Sequence, residues 1–302
     1  MKRNRLFAAA VCFTLLAAGC NTTDATEAEE NSDVAATNHA VKSTVTLTEG
    51  KYSEEKLDAT WDEKTAAKLK LDGTSISADS EAVEVKDNVA TITAEGEYVI
   101  SGELENGQII VDVPNKGNVQ LVLNGAEITC NSSAPIWIKE GNTVITLAEG
   151  TENTVTDGSE YVLEEGEDEP NGTIFAKDDL TFNGTGMLMV NGNYNHAIQS
   201  KDDLKFVTGT YVVTSVGDGI VGKDSVSVKN GNFKIETGGD GIKATNIEET
   251  DKGYILIENG YFGITSAGDA VQAETLLRVN DGEFEIVTGG GSGNAVQTGE
   301  AM

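Results

Sequence analysis

From Ile174 onward the chain repeats itself at short intervals. Segments beginning at Ile174, Ile198, Ile220, Ile242, Val271 and Val296 read IFAKDDL, IQSKDDL, IVGKDSV, IKATNIE, VQAETLL and VQTGEAM. Their starts are 24, 22, 22, 29 and 25 residues apart. A unit this short cannot bury an apolar face alone, so it must stack on its neighbours as a solenoid. Equivalent residues then lie above one another, and a repeated Lys-Asp-Asp becomes columns of charge.

Each unit holds three apolar pairs spaced by two. The first runs Ile174/Ala176, Ile198/Ser200, Ile220/Gly222, Ile242/Ala244 and Val271/Ala273. The second is Leu180/Phe182, Leu204/Phe206, Val226/Val228, Ile255/Ile257 and Leu277/Val279. After a glycine column (Gly186, Gly209, Gly231, Gly260, Gly282) comes the third: Leu188/Val190, Tyr211/Val213, Phe233/Ile235, Phe262/Ile264 and Phe284/Ile286. Period-two alternation marks strands. Three short strands per unit, parted by Gly, Asn and Asp turns, describe a coil of a parallel β-helix. The chain is therefore expected to be all-β. Leucine-rich repeats share the period but need a leucine-dense pattern and a helical side. The 34 glycines suit tight corners, and the three prolines, Pro114, Pro135 and Pro170, leave the ladders their donors.

The N-terminus reads as a targeting segment. Lys2, Arg3 and Arg5 precede an apolar run from Leu6 to Ala18, and LAAGC follows at 16–20. This is a secretory signal, and the small residues before Cys20 resemble a bacterial lipobox in which that cysteine is lipidated. An ordinary signal peptide with an incidental cysteine is the alternative. The expected organisation is a signal over 1–20, a disordered acidic linker over 21–57 and a β-helix over 58–302. That arrangement places a monomeric rod at the cell surface, outside the cell and anchored to the membrane. Cys130 is then the body's one cysteine, so no internal disulfide forms. The chain stops just inside a new first strand, so it is expected to be either a truncation or a short version.

The chain carries 50 Asp and Glu against 21 Lys and Arg, a net charge of −29. Nucleic acid is excluded as a partner, because phosphate neutralisation needs a basic surface. An acidic surface explains scattered acids by solubility alone. It does not explain acids that recur at one place in successive coils. Lys139, Lys177, Lys201 and Lys223 form one column, since IWIKE at 136–140 shares the frame. Glu140, Asp178, Asp202 and Asp224 form the next, with Asp179 and Asp203 beside it. A third, before the first strand, holds His196, Asp218, Asp240, Asp269 and Asn294.

Coils stack about 4.8 Å apart. Bare carboxylates at that spacing repel by about 1 kcal/mol in water and about 3.5 kcal/mol at an effective dielectric of 20. Either the lysine column neutralises them or a hard cation does. Calcium accepts six to eight oxygens in flexible geometry, which clustered Asp, Asn and carbonyls supply. The long turn 245–253 adds Asn246, Glu248, Glu249 and Asp251 as ion-wrapping candidates, or is merely a solvated loop. With His39 and His196 as the only histidines and no paired cysteines, zinc is disfavoured.

Outward positions of the first strand give a further column: Trp137, Phe175, Gln199, Val221, Lys243, Gln272 and Gln297. Aromatics beside amides and cations suit a sugar chain. Alternatively the acidic stretch 148–172 folds over Trp137 and Phe175.

The strings TITAEGEYVISGEL, VQLVLNGAEIT, APIWIKEGNTVITLAEGTENTVTDGSEY, VNGNYNHAIQSKDDL and DGIVGKDSVSVKNG occur in order over about four-fifths of the chain. This stretch resembles the bacterial carbohydrate-binding β-helix family that binds cellulose and polygalacturonate. The resemblance implies a right-handed β-helix of pectate-lyase-like architecture with calcium along it, and Asp-rich turns as its ligands. The metal candidates are thus Asp178, Asp179, Asp202, Asp203, Asp224, Asp218, Asp240, Asp269, Asn246 and Asp251. The glycan candidates are Lys139, Lys177, Lys201, Lys223, Trp137, Phe175, Gln199 and Lys243.

Two functions fit. One is a non-catalytic, calcium-dependent binder of acidic, polygalacturonate-like polysaccharide, with cellulose as a further ligand. The other is a calcium-dependent lyase, which needs a basic side chain above the metal; Lys243 is its best base.

Overall fold

The computed structural model describes residues 50–289, and everything below concerns them. The signal, Cys20, most of the linker and the last repeat segment lie outside them.

The expected coils are present, and the apolar pairs stack in register. Ile174 lies opposite Ile198, Ile198 opposite Ile220, Ile220 opposite Ile242 and Ile242 opposite Val271. The frame also extends backward, with Ile136 beneath Ile174 and Ile109 beneath Ile136. Second strands pair Leu180, Leu204, Val226, Ile255 and Leu277 in turn. Third strands pair Leu188, Tyr211, Phe233, Phe262 and Phe284. Every one of these ladders is parallel, so the chain folds as a parallel β-helix.

Second and third strands fuse in the early coils. Asn118–Cys130 is one strand of 13 residues. Its first half pairs with Asn142–Leu147 and its second half with Glu152–Asp157. Later coils break there, at a glycine corner. Gly209, Gly231, Gly260 and Gly282 have φ of 134°, 153°, 141° and 134°. A Cβ on Gly260 would sit 2.9 Å from the Gly231 carbonyl oxygen. Conformation and crowding both demand glycine at this corner.

Inside the coils the three pairs make one continuous core as far as Ile264, whereas in the last described coil Leu277, Val279 and Ile286 are exposed. Its third side is an aromatic stack: Tyr211, Phe233, Phe262 and Phe284 lie face to face with centroids 4.8 to 4.9 Å apart. Phe182 and Phe206 stack beside it on the second strands. At the N-terminal end, two antiparallel hairpins turn back on the first coil: Ala67–Gly73 with Ser75–Ala78, and Val83–Lys86 with Val89–Ile92. Lys86, Glu84 and the short outer strands are what an edge needs to avoid further pairing.

One boundary requires correction. The expected linker runs to residue 57, yet residues 50–57 are docked. The Gly50 N–H donates to Glu258 Oε1 at 2.7 Å. Lys229 lies over the Tyr52 ring, and Lys56 pairs with Asp179 at 2.9 Å. Asn183 Nδ2 donates to the Lys56 and Asp58 carbonyls, and Gln120 Nε2 to that of Thr60. This strap crosses the outer face of the second strands, where Thr181, Lys205, Ser227 and Leu256 are buried. Polar composition concealed it, because its contacts are single side chains spaced to match the coils.

Candidate functional site

The stretch 148–172 is not all loop, because Glu152–Asp157 is a third strand. The loop proper is 158–171. It leaves the solenoid, crosses the first-strand face and returns at Gly172–Ala176. Its root is pinned. Tyr161 Oη donates to Asp157 Oδ2 at 2.7 Å, and its ring stacks on Tyr194 at 4.0 Å. The Val162 N–H donates to the Ser132 carbonyl at 2.8 Å.

Asp157 is buried, and that burial pushes its carboxyl above the usual value, against the hydrogen bonds from Tyr161 and Asn193. A carboxyl raised by folding holds its proton more tightly in the folded state. Its contribution to stability is present at low pH and is lost as pH rises through the folded value. Asp157→Asn is expected to flatten that fall in urea midpoints taken between about pH 4 and about pH 8. A curve identical to wild type would show that Asp157 does not titrate in this range.

Between the loop and the ladder lies a cleft of about 550 Å³. Gln108, Trp137, Lys139 and Lys177 line its ladder side, and Leu163, Glu164, Glu167 and Glu169 its loop side. Lys139 Nζ sits 4.2 Å from the Trp137 ring centroid, an attraction between a cation and the negative face of the indole. Trp137 Nε1 is buried without a hydrogen-bond partner.

The remaining sugar candidates separate. Phe175 is 0 % exposed and Gln199 7 %, so neither is an open platform. Glu169 reaches Lys201 at 2.6 Å and Lys177 at 3.4 Å and so ties the loop to two lysines of the repeated column. Burial alone would raise the Glu169 carboxyl, but the bond and charge of Lys201, then Lys177, outweigh it and hold it below the usual range. Lys223 is exposed.

The aspartates have partners from outside their own column. Lys116 bridges Asp178 at 2.8 Å and Asp202 at 3.4 Å. Lys205 reaches Asp203 at 2.7 Å, and Lys56 takes Asp179. Lys252 holds Asp224 and Glu249, both at 2.8 Å. Asn246 donates to Asp224 at 2.7 Å while its Oδ1 accepts the N–H groups of Glu248 and Glu249. The long turn therefore wraps its own lysine, and Asp251 is exposed. The third column is a hydrogen-bond ladder. The Asp218 N–H donates to His196 Nδ1, the Asp240 N–H to Asp218 Oδ1 and the Asp269 N–H to Asp240 Oδ1.

Calcium does not fit the carboxylates as placed. Among the described residues no three or more of Asp, Glu, His and Cys converge as a metal site. Lysines and backbone N–H groups engage Asp178, Asp179, Asp203, Asp218, Asp224 and Asp240, and Asp202 meets Asp224 beside Lys116, whereas calcium needs six or more converging oxygens. The lysines missed at sequence level, Lys56, Lys116, Lys205 and Lys252, do not belong to the repeated lysine column, so periodicity carried no signal for them.

Lys243 lies between Asp240 at 2.7 Å and Asp218 at 3.6 Å. Burial works against its charge, but Asp240 and Asp218 outweigh it and raise its pKa above the ordinary lysine value. A lysine held protonated is a poor proton acceptor.

The chain is thus a parallel β-helix whose surface cleft sets a half-buried tryptophan beside two lysines. Residues 86–302 match the family described as carbohydrate-binding domain-containing protein, and the chain belongs to it. A protein of that description from Acetivibrio thermocellus is 39% identical over 150 residues, 49% of this chain and 52% of the relative. The chain thus spans about half the length of the curated relative it matches. The solved structure of a polysaccharide lyase-like protein from C. thermocellum, a gadolinium derivative, is similar with a TM-score of 0.73 and 36% identity. The similarity covers 76% of this chain and 93% of that one.

Proposed function

We propose that this chain is a non-catalytic binder of acidic, polygalacturonate-like polysaccharide, held at the cell surface by a lipid on Cys20. The observation that carries the reading is the cleft, where Trp137 offers a ring face and an unpaired donor beside Lys139 and Lys177. A chain of net charge −29 needs local cations to hold an anionic polymer. Lysines that recur on successive coils supply them at a spacing a polymer can follow, so weak contacts sum. Against the lyase alternative stands Lys243, which its two aspartates keep charged.

The test is incubation of the purified protein with polygalacturonate. Saturable retention that weakens with salt, without unsaturated products, is expected. Unsaturated products would replace the binder with the lyase. Because lysines already supply the positive charge, binding and melting temperature are expected to persist in chelator. If both fall in chelator and return with calcium, a metal sits among the aspartates and the lysine account fails.

A further inference from the structure

Glu169 sets its carboxylate across two lysines of the repeated column. Lys177 and Lys201 each follow a paired position, Ala176 opposite Ser200, on adjacent coils. One carboxylate spans them, Oε1 on Lys201 at 2.6 Å and Oε2 on Lys177 at 3.4 Å. That carboxylate comes from the loop and not from the ladder. Its acidic neighbours Glu164, Glu165, Glu167 and Asp168 are exposed. With the loop in this position two polar atoms beneath it or beside it, Trp137 Nε1 and Gln199 Oε1, are buried without partners. Buried polar atoms are ordinarily paired, so a closed loop leaves this face incompletely satisfied. A hydroxyl-rich chain lying on the same column supplies both an acceptor for the indole and a donor for the amide.

We propose that Glu169 is a built-in competitor. Its carboxylate occupies the Lys177–Lys201 position that a uronate carboxylate of the bound polymer takes, and residues 163–170 move aside when the polymer binds. This rests on the binder reading above and adds its regulation. The root of the loop stays in place, because Tyr161 and Val162 are anchored to the solenoid. Polymer therefore pays for opening, and apparent affinity is the intrinsic affinity reduced by the open fraction.

The experiment measures polygalacturonate affinity for wild type, Glu169→Gln and Glu165→Gln. The two variants change net charge equally, and only the first touches the lysines. Glu169→Gln is expected to bind about three- to tenfold tighter, as releasing a partly exposed ion pair allows. Glu165→Gln should match wild type, and neutral β-glucan should bind wild type and Glu169→Gln alike. Adding Lys177→Gln and Lys201→Gln to Glu169→Gln should erase the gain, which also guards against a gain from loop disorder. If wild type binds and Glu169→Gln binds no tighter, the competitor is refuted while the binder reading stands. A gain shared by Glu165→Gln refutes it too, as a general charge effect. If neither wild type nor Glu169→Gln binds, both fall together.

Discussion

Phe233→Ala is expected to cost about 3–5 kcal/mol of stability, the range for removing a fully buried aromatic ring. Phe233 is 1 % exposed. It stacks on Tyr211 at 4.8 Å and Phe262 at 4.9 Å, and meets the Phe206 edge at 5.4 Å. The cavity has little means of collapse, since its walls are rings fixed by strands that pair above and below. In a solenoid, coils are coupled through nearest neighbours, so a void in one coil also weakens the link between the coils on either side. Urea unfolding should show a lower midpoint. A lower m-value as well would mean that the coils after Phe233 melt apart from those before it. Phe233→Leu, which keeps most of the volume, should cost less than half as much. A loss below about 1 kcal/mol for Phe233→Ala would show that the stack is not a structural spine.

The aromatic spine was legible before any coordinates, because period-two alternation needs only the strand pleat and coil register only the repeat length. Site chemistry was less legible, for two physical reasons. Alternation tells that Phe175 points out of the coil, but not that it is buried there, and the Glu169 that engages Lys177 and Lys201 comes from a loop with no repeat. Stacking likewise tells that Asp218, Asp240 and Asp269 share a column. It does not tell which hydrogen fills the gap between them, and the answer is the next coil's own N–H. Lys116 illustrates the same limit. It sits in the 3-10 turn Pro114–Lys116 with φ 55°, outside the repeat, yet it bridges two aspartates 62 and 86 positions away, at Asp178 and Asp202. A column of like charge in this solenoid is thus compensated by a lysine from outside the column or by a backbone N–H, and the repeat does not tell which.

Trp137→Ala is expected to weaken polygalacturonate binding by about 30-fold or more, the loss that marks a central tryptophan in an interface and equivalent to about 2 kcal/mol. The ring is the large apolar surface on the ladder side of the cleft, and its buried N–H has no partner in the protein. A sugar hydroxyl that reaches it once the loop has opened accepts that hydrogen bond without displacing a protein partner of the indole. Lys139, 4.2 Å above the ring, is held there by the indole. Removing the ring therefore also releases the cation, and Lys139→Gln in the Trp137→Ala background should add less than it does alone. Trp137→Phe separates the parts, keeping a stacking face but losing the N–H, and should fall between wild type and Ala. Stability should change little, because Trp137 is only half-buried and stands outside the core. Isothermal titration with defined oligogalacturonates, alongside thermal melts, reads both quantities. Unchanged affinity in a folded Trp137→Ala protein would move the binding face off this cleft.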